Sequence, residues 1–144
     1  MEYNKELHNN CFPFLPEAAA KKIFTRLEFK NCKAGEDISS LFCFVVAGEL
    51  DVRREVTTGG ISRSHLLARI TKGSFVGEGT LFKERKSFCS VVCAKESSVL
   101  ILRADSFEQF LQDDQKGGML LLKYILSVVH GRLGSASARL VHIL

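Results

Sequence analysis

With 144 residues, 46% of them hydrophobic and 25% charged, the chain has the make-up of one compact globular domain with a real core, which excludes the disordered and fibrous classes. Its net charge is +4, but the cations alternate with acids, as in Lys83-Glu84-Arg85-Lys86 and Arg53-Arg54-Glu55, so no long basic tract marks a nucleic-acid footprint. The longest apolar stretch, Leu41 to Ala47, is far too short to cross a bilayer, and the opening MEYNKELHNN lacks the basic-then-apolar order of a secretion signal; no membrane association and a cytoplasmic setting are expected.

In chain order, Pro16 to about Glu28 reads as a short helix, with Pro suited to its first turn and Ile23, Phe24 and Leu27 along one side. Phe14 and Leu15 are expected to pack under its start. From Phe29 to Leu102 the pattern changes to short β-type runs, DISSLFCFVVAGELDVRRE, HLLARITKGSFVGE and SFCSVVCAKESSVLILRA, cut by Gly35, Gly48, Gly59-Gly60 and Gly73. Such runs predict an antiparallel sandwich or a closed barrel rather than βαβ units. Asp105-Ser106-Phe107-Glu108 has the form of a capping box with Asp105 as N-cap, opening a helix that ends near Asp113.

A longer helix is predicted after Gly117-Gly118. In it Leu122, Leu126, Val129, Leu133, Ala136, Leu140 and Ile143 recur at alternating steps of four and three, a heptad seam, and Leu121, Ile125 and Val128 form a second stripe beside it. Two stripes imply two partners. One is expected to pack on the β-block and the other against the same helix of a second copy, so a homodimer is predicted. Gly131 and Gly134 each weaken this helix by up to about 1 kcal/mol relative to Ala. Neither an internal repeat nor a low-complexity linker is present.

Chemistry-bearing residues are sparse. Cys11, Cys32, Cys43, Cys89 and Cys93 contain no C-x-x-C pair and no His at metal spacing, so no metal site is expected and the thiols read as buried, reduced residues. Cys89 and Cys93 share a strand face but lie too far apart for a comfortable disulfide. His8, His65, His130 and His142 are isolated and read as surface or interface residues. Glu49 and Asp51, beside the Gly48 turn, are expected to face solvent. With no nucleophile motif and no P-loop lysine, the chain is not expected to be an enzyme.

KAGEDI (33–38), FVVAGELDV (44–52) and KGSFVGEGTLF (72–82) resemble, in order and spacing, the successive signatures of the cyclic nucleotide-binding domain, as found in bacterial catabolite-activator-type regulators. The resemblance runs from about Lys33 to Ile143. It implies a mainly β fold with flanking helices: a double-stranded β-helix or jelly-roll barrel over 29–103, an N-terminal helical segment over 1–28 and C-terminal helices over 104–144, all in one domain. It also implies a non-catalytic sensor that binds a small molecule in residues 76–89 and signals through its C-terminal helix.

The chemistry of such a cassette can be stated from the residues. A cyclic phosphodiester carries one charge and no free terminus, so it is best held by backbone N–H groups at a helix start. Gly77 and Gly79 allow the main chain to approach closely, Thr80 to Phe82 can form the helix, and Glu78 can accept a hydrogen bond from a ribose hydroxyl. By resemblance Glu78 is the ribose ligand and an Arg near the cassette end pairs with the phosphate. Here the pattern departs: Ser87 stands at that Arg position with Phe88 beside it. Arg85 or Lys86 can substitute, or the ligand differs from a cyclic nucleotide, or the pocket is degenerate.

The expected ligand-binding set is therefore Val76, Gly77, Glu78, Gly79, Thr80, Arg85, Lys86, Ser87, Phe88, Cys89 and, at the purine position of the long helix, Ser137 next to Ala136. Cyclic AMP and cyclic GMP are the candidate ligands, and no other cofactor is expected. Since the chain stops at Leu144, before the point where those regulators carry a helix-turn-helix, it is expected to sense without binding DNA itself and to act on a separate output protein. The alternative is a nucleotide-free interaction subunit.

Overall fold

Phe42-Cys43-Phe44-Val45 is a continuous apolar run, and a strand buried on both faces requires one, because successive side chains point to opposite sides. The computed structural model describes residues 1–82 and 89–143, the side chains of 142 and 143 excepted. Its elements are α1 (Lys5–Cys11), α2 (Glu17–Phe24), β1 (Glu28–Cys32), β2 (Cys43–Ala47), β3 (Glu49–Thr58), β4 (Ile61–Thr71), β5 (Phe75–Val76), a 3₁₀ helix (Glu78–Leu81), β6 (Ser90–Cys93), β7 (Ser97–Ile101), α3 (Ala104–Asp113) and α4 (Gln115–Ile143).

Among the described residues the strands form two antiparallel sheets, in the orders β1-β7-β2-β5 and β4-β3-β6. Phe42, Phe44, Phe75, Leu100 and Leu102 point from the first sheet into a cluster shared with all four helices. Cys43, Val45, Val76, Val99 and Ile101 point the other way, onto Leu50, Ile70, Val91 and Cys93 of the second sheet. The result is three layers of helices, sheet and sheet. The fold is the expected mainly β one with flanking helices and a long C-terminal helix, but its ladders do not close into a barrel. Gly48, with φ of 93°, separates β2 from β3 and sends them to different sheets, where the sequence reads as one run.

The helical layer is held by aromatic packing. Phe12, Phe24, Phe42, Phe44, Phe75 and Phe110 are all fully buried, at roughly 1.5–3 kcal/mol each. That burial explains α1, which the sequence reading did not assign. Seven residues cannot sustain a helix alone, but Asn4 caps this one by accepting the Leu7 N–H at 3.0 Å, and Cys11 and Phe12 enter the core. His8 is not a surface residue: it is buried, with ring nitrogens 2.8 Å from the Tyr3 hydroxyl and from the Leu15 carbonyl.

Several helix boundaries differ from expectation. α2 stops at Phe24, because the Leu27 N–H turns back to the Phe24 carbonyl and the chain enters β1 at Glu28. α3 has Arg103 as its N-cap; Asp105 lies inside the first turn and its carboxylate accepts the Ser106 N–H, so the capping box does not form. α4 begins at Gln115, ahead of the glycine pair, where the Asp114 carboxylate takes the Gly117 N–H at 2.8 Å. Gly118 lies against Leu111, where a Cβ would come within 2.6 Å of its side chain, and this allows α4 to start so close to α3.

The two stripes of α4 separate. Leu121 and Ile125 are buried and Val128 packs beside them. Along the seam Leu122, Leu126, Leu133 and Leu140 are 41%, 69%, 64% and 59% exposed, while Val129 and Ala136 are half-buried; the Ile143 side chain lies outside the described residues. Asp51, expected at the surface, is buried on the outer side of the second sheet, 3.1 Å from the Arg69 Nε and 3.6 Å from Arg53. None of the five cysteines is in a disulfide among the described residues. Burial pushes the Cys43 thiol up to about 12, well out of the reactive range. No helix among the described residues is long and apolar enough to cross a membrane.

Candidate functional site

β5 contributes only two residues, but both are buried and register-locked, with Phe75 opposite Phe44 and Val76 opposite Cys43. The chain therefore leaves the core at a fixed point. Gly77 follows at φ 83°, a left-handed conformation that L side chains rarely adopt, and a Cβ there would overlap the Leu41 carbonyl oxygen. Glycine is required on both counts.

From this turn the 3₁₀ helix Glu78–Leu81 begins. The Thr80 N–H and hydroxyl both donate to the Gly77 carbonyl, at 3.0 and 2.7 Å, and the Phe82 N–H donates to Gly79. Leu81 anchors the far end in the core, while Glu78 is left half-buried beside the turn. The first N–H groups of a helix have no partner within it, and Glu78 stands at the first position of this one. Val76, Gly77, Glu78, Gly79 and Thr80 all lie on this turn, and the helix starts two residues earlier than read from the sequence.

Opposite this turn stands a residue the sequence reading missed. Arg132 of α4 donates from Nη2 to the Phe75 carbonyl at 2.5 Å and to the Ser74 hydroxyl at 3.2 Å, and its Nη1 lies 3.8 Å from the Glu78 carboxylate. Its guanidinium sits 4.8 Å from the centre of the Phe75 ring. Burial lowers its pKa from the ordinary arginine value, and the Glu78 carboxylate pulls the other way. Tyr124, two turns earlier on α4, stacks on Phe14 at 4.2 Å and meets the edge of Phe75; burial raises its hydroxyl pKa. The available signal was periodicity: Arg132 is one turn before Ala136, the residue already placed next to the purine position.

The other expected positions divide. Cys89 is half-buried just ahead of β6. Ser137 is exposed on α4, and its hydroxyl makes no hydrogen bond among the described residues. Arg85, Lys86, Ser87 and Phe88 lie outside the described residues. Past Val129, no described side chain of α4 is in the buried cores, and Arg132 together with Arg139, which donates to the Leu67 carbonyl at 3.3 Å, joins it to the β-block.

Comparison with known proteins agrees with this fold. No curated protein matches the sequence. Among solved structures, the fold is similar to a cyclic nucleotide-binding domain from Methylobacillus flagellatus KT, at TM-score 0.81 and 14% identity over 96% of this chain and 80% of that one. It is similar to the Thermus thermophilus catabolite activator protein, at 0.69 and 18% identity over 88% of this chain but only 59% of that one. A third is the N-terminal domain of a transcriptional regulator from Streptomyces coelicolor A3(2), at 0.70 and 16% identity, covering 89% of this chain and 94% of that domain. Residues 32–114, more than half of the chain and all of the cassette, match the model of the cyclic nucleotide-binding domain; the chain belongs to the cyclic nucleotide-binding domain family.

Proposed function

We propose that this domain is a non-catalytic, cytoplasmic sensor that binds a cyclic nucleotide, cyclic AMP or cyclic GMP, in the cassette 76–89 and transmits occupancy through a dimerising α4. One observation carries the reading: Glu78 emerges from the left-handed Gly77 turn within reach of a cation on α4. A ribose hydroxyl donating to Glu78 takes over the carboxylate that now faces Arg132, and Arg132 is then free to compensate the charge of the cyclic phosphate. Because Ser87 replaces the usual phosphate arginine, this helix-borne cation, with Arg85 or Lys86, supplies what the cassette lacks.

The signal is a population shift. A ligand that engages Glu78 and Arg132 binds one placement of α4 better than another, and its differential affinity sets the size of the response. The exposed Leu126, Leu133, Leu140 and Val141 are the surface the shift acts on. A Cβ at Gly131 or Gly134 would meet nothing within 4 Å, so this side of the helix has room for a second copy.

Calorimetric titration with cyclic AMP and cyclic GMP tests the site. Binding by the native chain and its loss in Glu78→Gln are expected; absence of heat with both nucleotides refutes the ligand class, and binding unchanged in Glu78→Gln refutes the placement. The same exposed leucines favour a second reading, a nucleotide-free subunit whose α4 binds a separate output protein. Silence with both nucleotides alongside a concentration-dependent mass would select it.

A further inference from the structure

The β3–β4 hairpin is longer than the sheet that supports it. β6 pairs only with Leu50 to Arg53, and from Arg54 to Leu67 every residue of the hairpin is exposed. Two strands alone are at best marginally stable in water, yet this ribbon leaves Val56, Ile61, Leu66 and Leu67 between 37% and 60% exposed. Its tip is preorganised: Gly59 and Gly60, both at positive φ, form the two-residue loop whose twist matches that of antiparallel strands.

The order β4-β3-β6 places β4 at the edge of its sheet. Edges are ordinarily blunted by proline, lysine or a bulge. β4 has a bulge at Leu67, and there Arg139 of α4 takes the carbonyl at 3.3 Å. Over Ile61 to Leu66, ahead of the bulge, the strand has none of the three. Among the described residues no hydrogen bond or ion pair from outside the hairpin reaches this stretch. Its outer row of backbone N–H and C=O groups is therefore open to another strand.

Register gives the side chains of this edge a defined order. Thr58 pairs with Ile61, Val56 with Arg63 and Arg54 with His65, so Ile61, Arg63 and His65 stand on one face, with Ser62, Ser64 and Leu66 on the other. No acid occurs from Ile61 to Thr71, and Glu55, the one acid of the ribbon, lies opposite Ser64 on the second face. A second copy is a poor occupant. Antiparallel pairing of two such edges about Ser64 sets Arg63 against His65, and pairing about Arg63 sets two guanidiniums against each other; like charges directly opposite are destabilising.

We infer that β4 is a docking edge for an extended acidic segment of another protein, which adds to the sheet as an antiparallel strand over Ile61 to Leu66. Its carboxylates stand at alternate positions, opposite Arg63 and His65, and an apolar side chain stands opposite Ile61. In such strand addition the main chain gives affinity and the alternating side chains give specificity. The edge is separate from the cassette, so its occupancy does not depend on which nucleotide, if any, the cassette holds.

The test uses the full chain, isotope-labelled, and two capped peptides. One alternates threonine with glutamate, glutamate and isoleucine in that order; the other has lysine in place of both glutamates. The acidic peptide is expected to slow amide exchange over 61–66 and to bind at least roughly tenfold tighter than the lysine peptide, read by NMR titration. Arg63→Glu, with its fold verified by thermal melting, should invert that preference. Unchanged exchange over 61–66 with the acidic peptide overturns the inference, as does equal binding of the two peptides or a preference unaltered in Arg63→Glu. Exchange over 61–66 that slows with protein concentration in the absence of peptide assigns the edge to a second copy and overturns it too.

Discussion

The two halves of α4 are attached to the molecule by different forces. From Gln115 to Val129 the helix is glued by apolar burial, with Leu121 fully enclosed and Ile125 nearly so. From His130 onward its ties to the β-block are polar, through Arg132 to Ser74, Phe75 and Glu78 and through Arg139 to Leu67. Burial is indifferent to small shifts of solute in a site, whereas bonds from a guanidinium to a carbonyl and a carboxylate can be competed for by another polar group. One half of a single continuous helix is therefore part of the core, and the other is held to the β-block by polar contacts.

That contrast can be broken in measurable steps. The largest effect is expected in the first half: Leu121→Ala should cost about 2–5 kcal/mol and lower Tm by on the order of 10 °C, read by calorimetry. A loss near zero would mean that α4 is not part of the core. Next comes Gly77→Ala, where the left-handed backbone alone costs on the order of 1–3 kcal/mol; because it displaces the anchor of Arg132, amide exchange should accelerate over 130–141 and stay slow over 115–129. Uniform acceleration along α4 would show that the halves are not distinct.

Arg132→Gln should free the distal half without touching the core. Loss of its charged hydrogen bonds is worth on the order of 1.5 kcal/mol locally, seen as faster exchange over 130–141 with little change in Tm. The smallest stability effect is expected for Leu126→Asp, at a site 69% exposed in the single chain, where substitutions usually stay within about 0.5 kcal/mol. Its readout is mass in solution, which should fall toward monomer; an unchanged mass would refute the seam as an interface.

How much of this was legible beforehand follows from where the information lies. The cassette was legible because its demands are local: a glycine for a positive φ, a carboxylate next to it and a hydroxyl to close the turn all occur within Gly77 to Thr80. The alternation in FCFV and SVLIL was visible too, but a double-sided burial pattern fits a barrel and a three-layer stack equally well. Caps were read poorly at 103–118, since Asp105 and Asp114 are equally good capping residues in sequence and the choice was made by where α3 and α4 had to pack. The burial of His8, expected at the surface or an interface, and of Asp51, expected in solvent, is not legible because their partners, Tyr3 and Leu15 for one and Arg53 and Arg69 for the other, meet them only after folding.

The sequence by itself determined the class of fold, the position of the cassette and the presence of two apolar stripes on the last helix, because each is written in spacing along a single segment. Only the tertiary structure decided which stripe is buried, and that the cation facing Glu78 comes from Arg132, 54 positions away in the chain (132 − 78). A contact at that separation depends on how α4 lies across β5, and that placement is set by the shared aromatic layer beneath both rather than by any pattern within either.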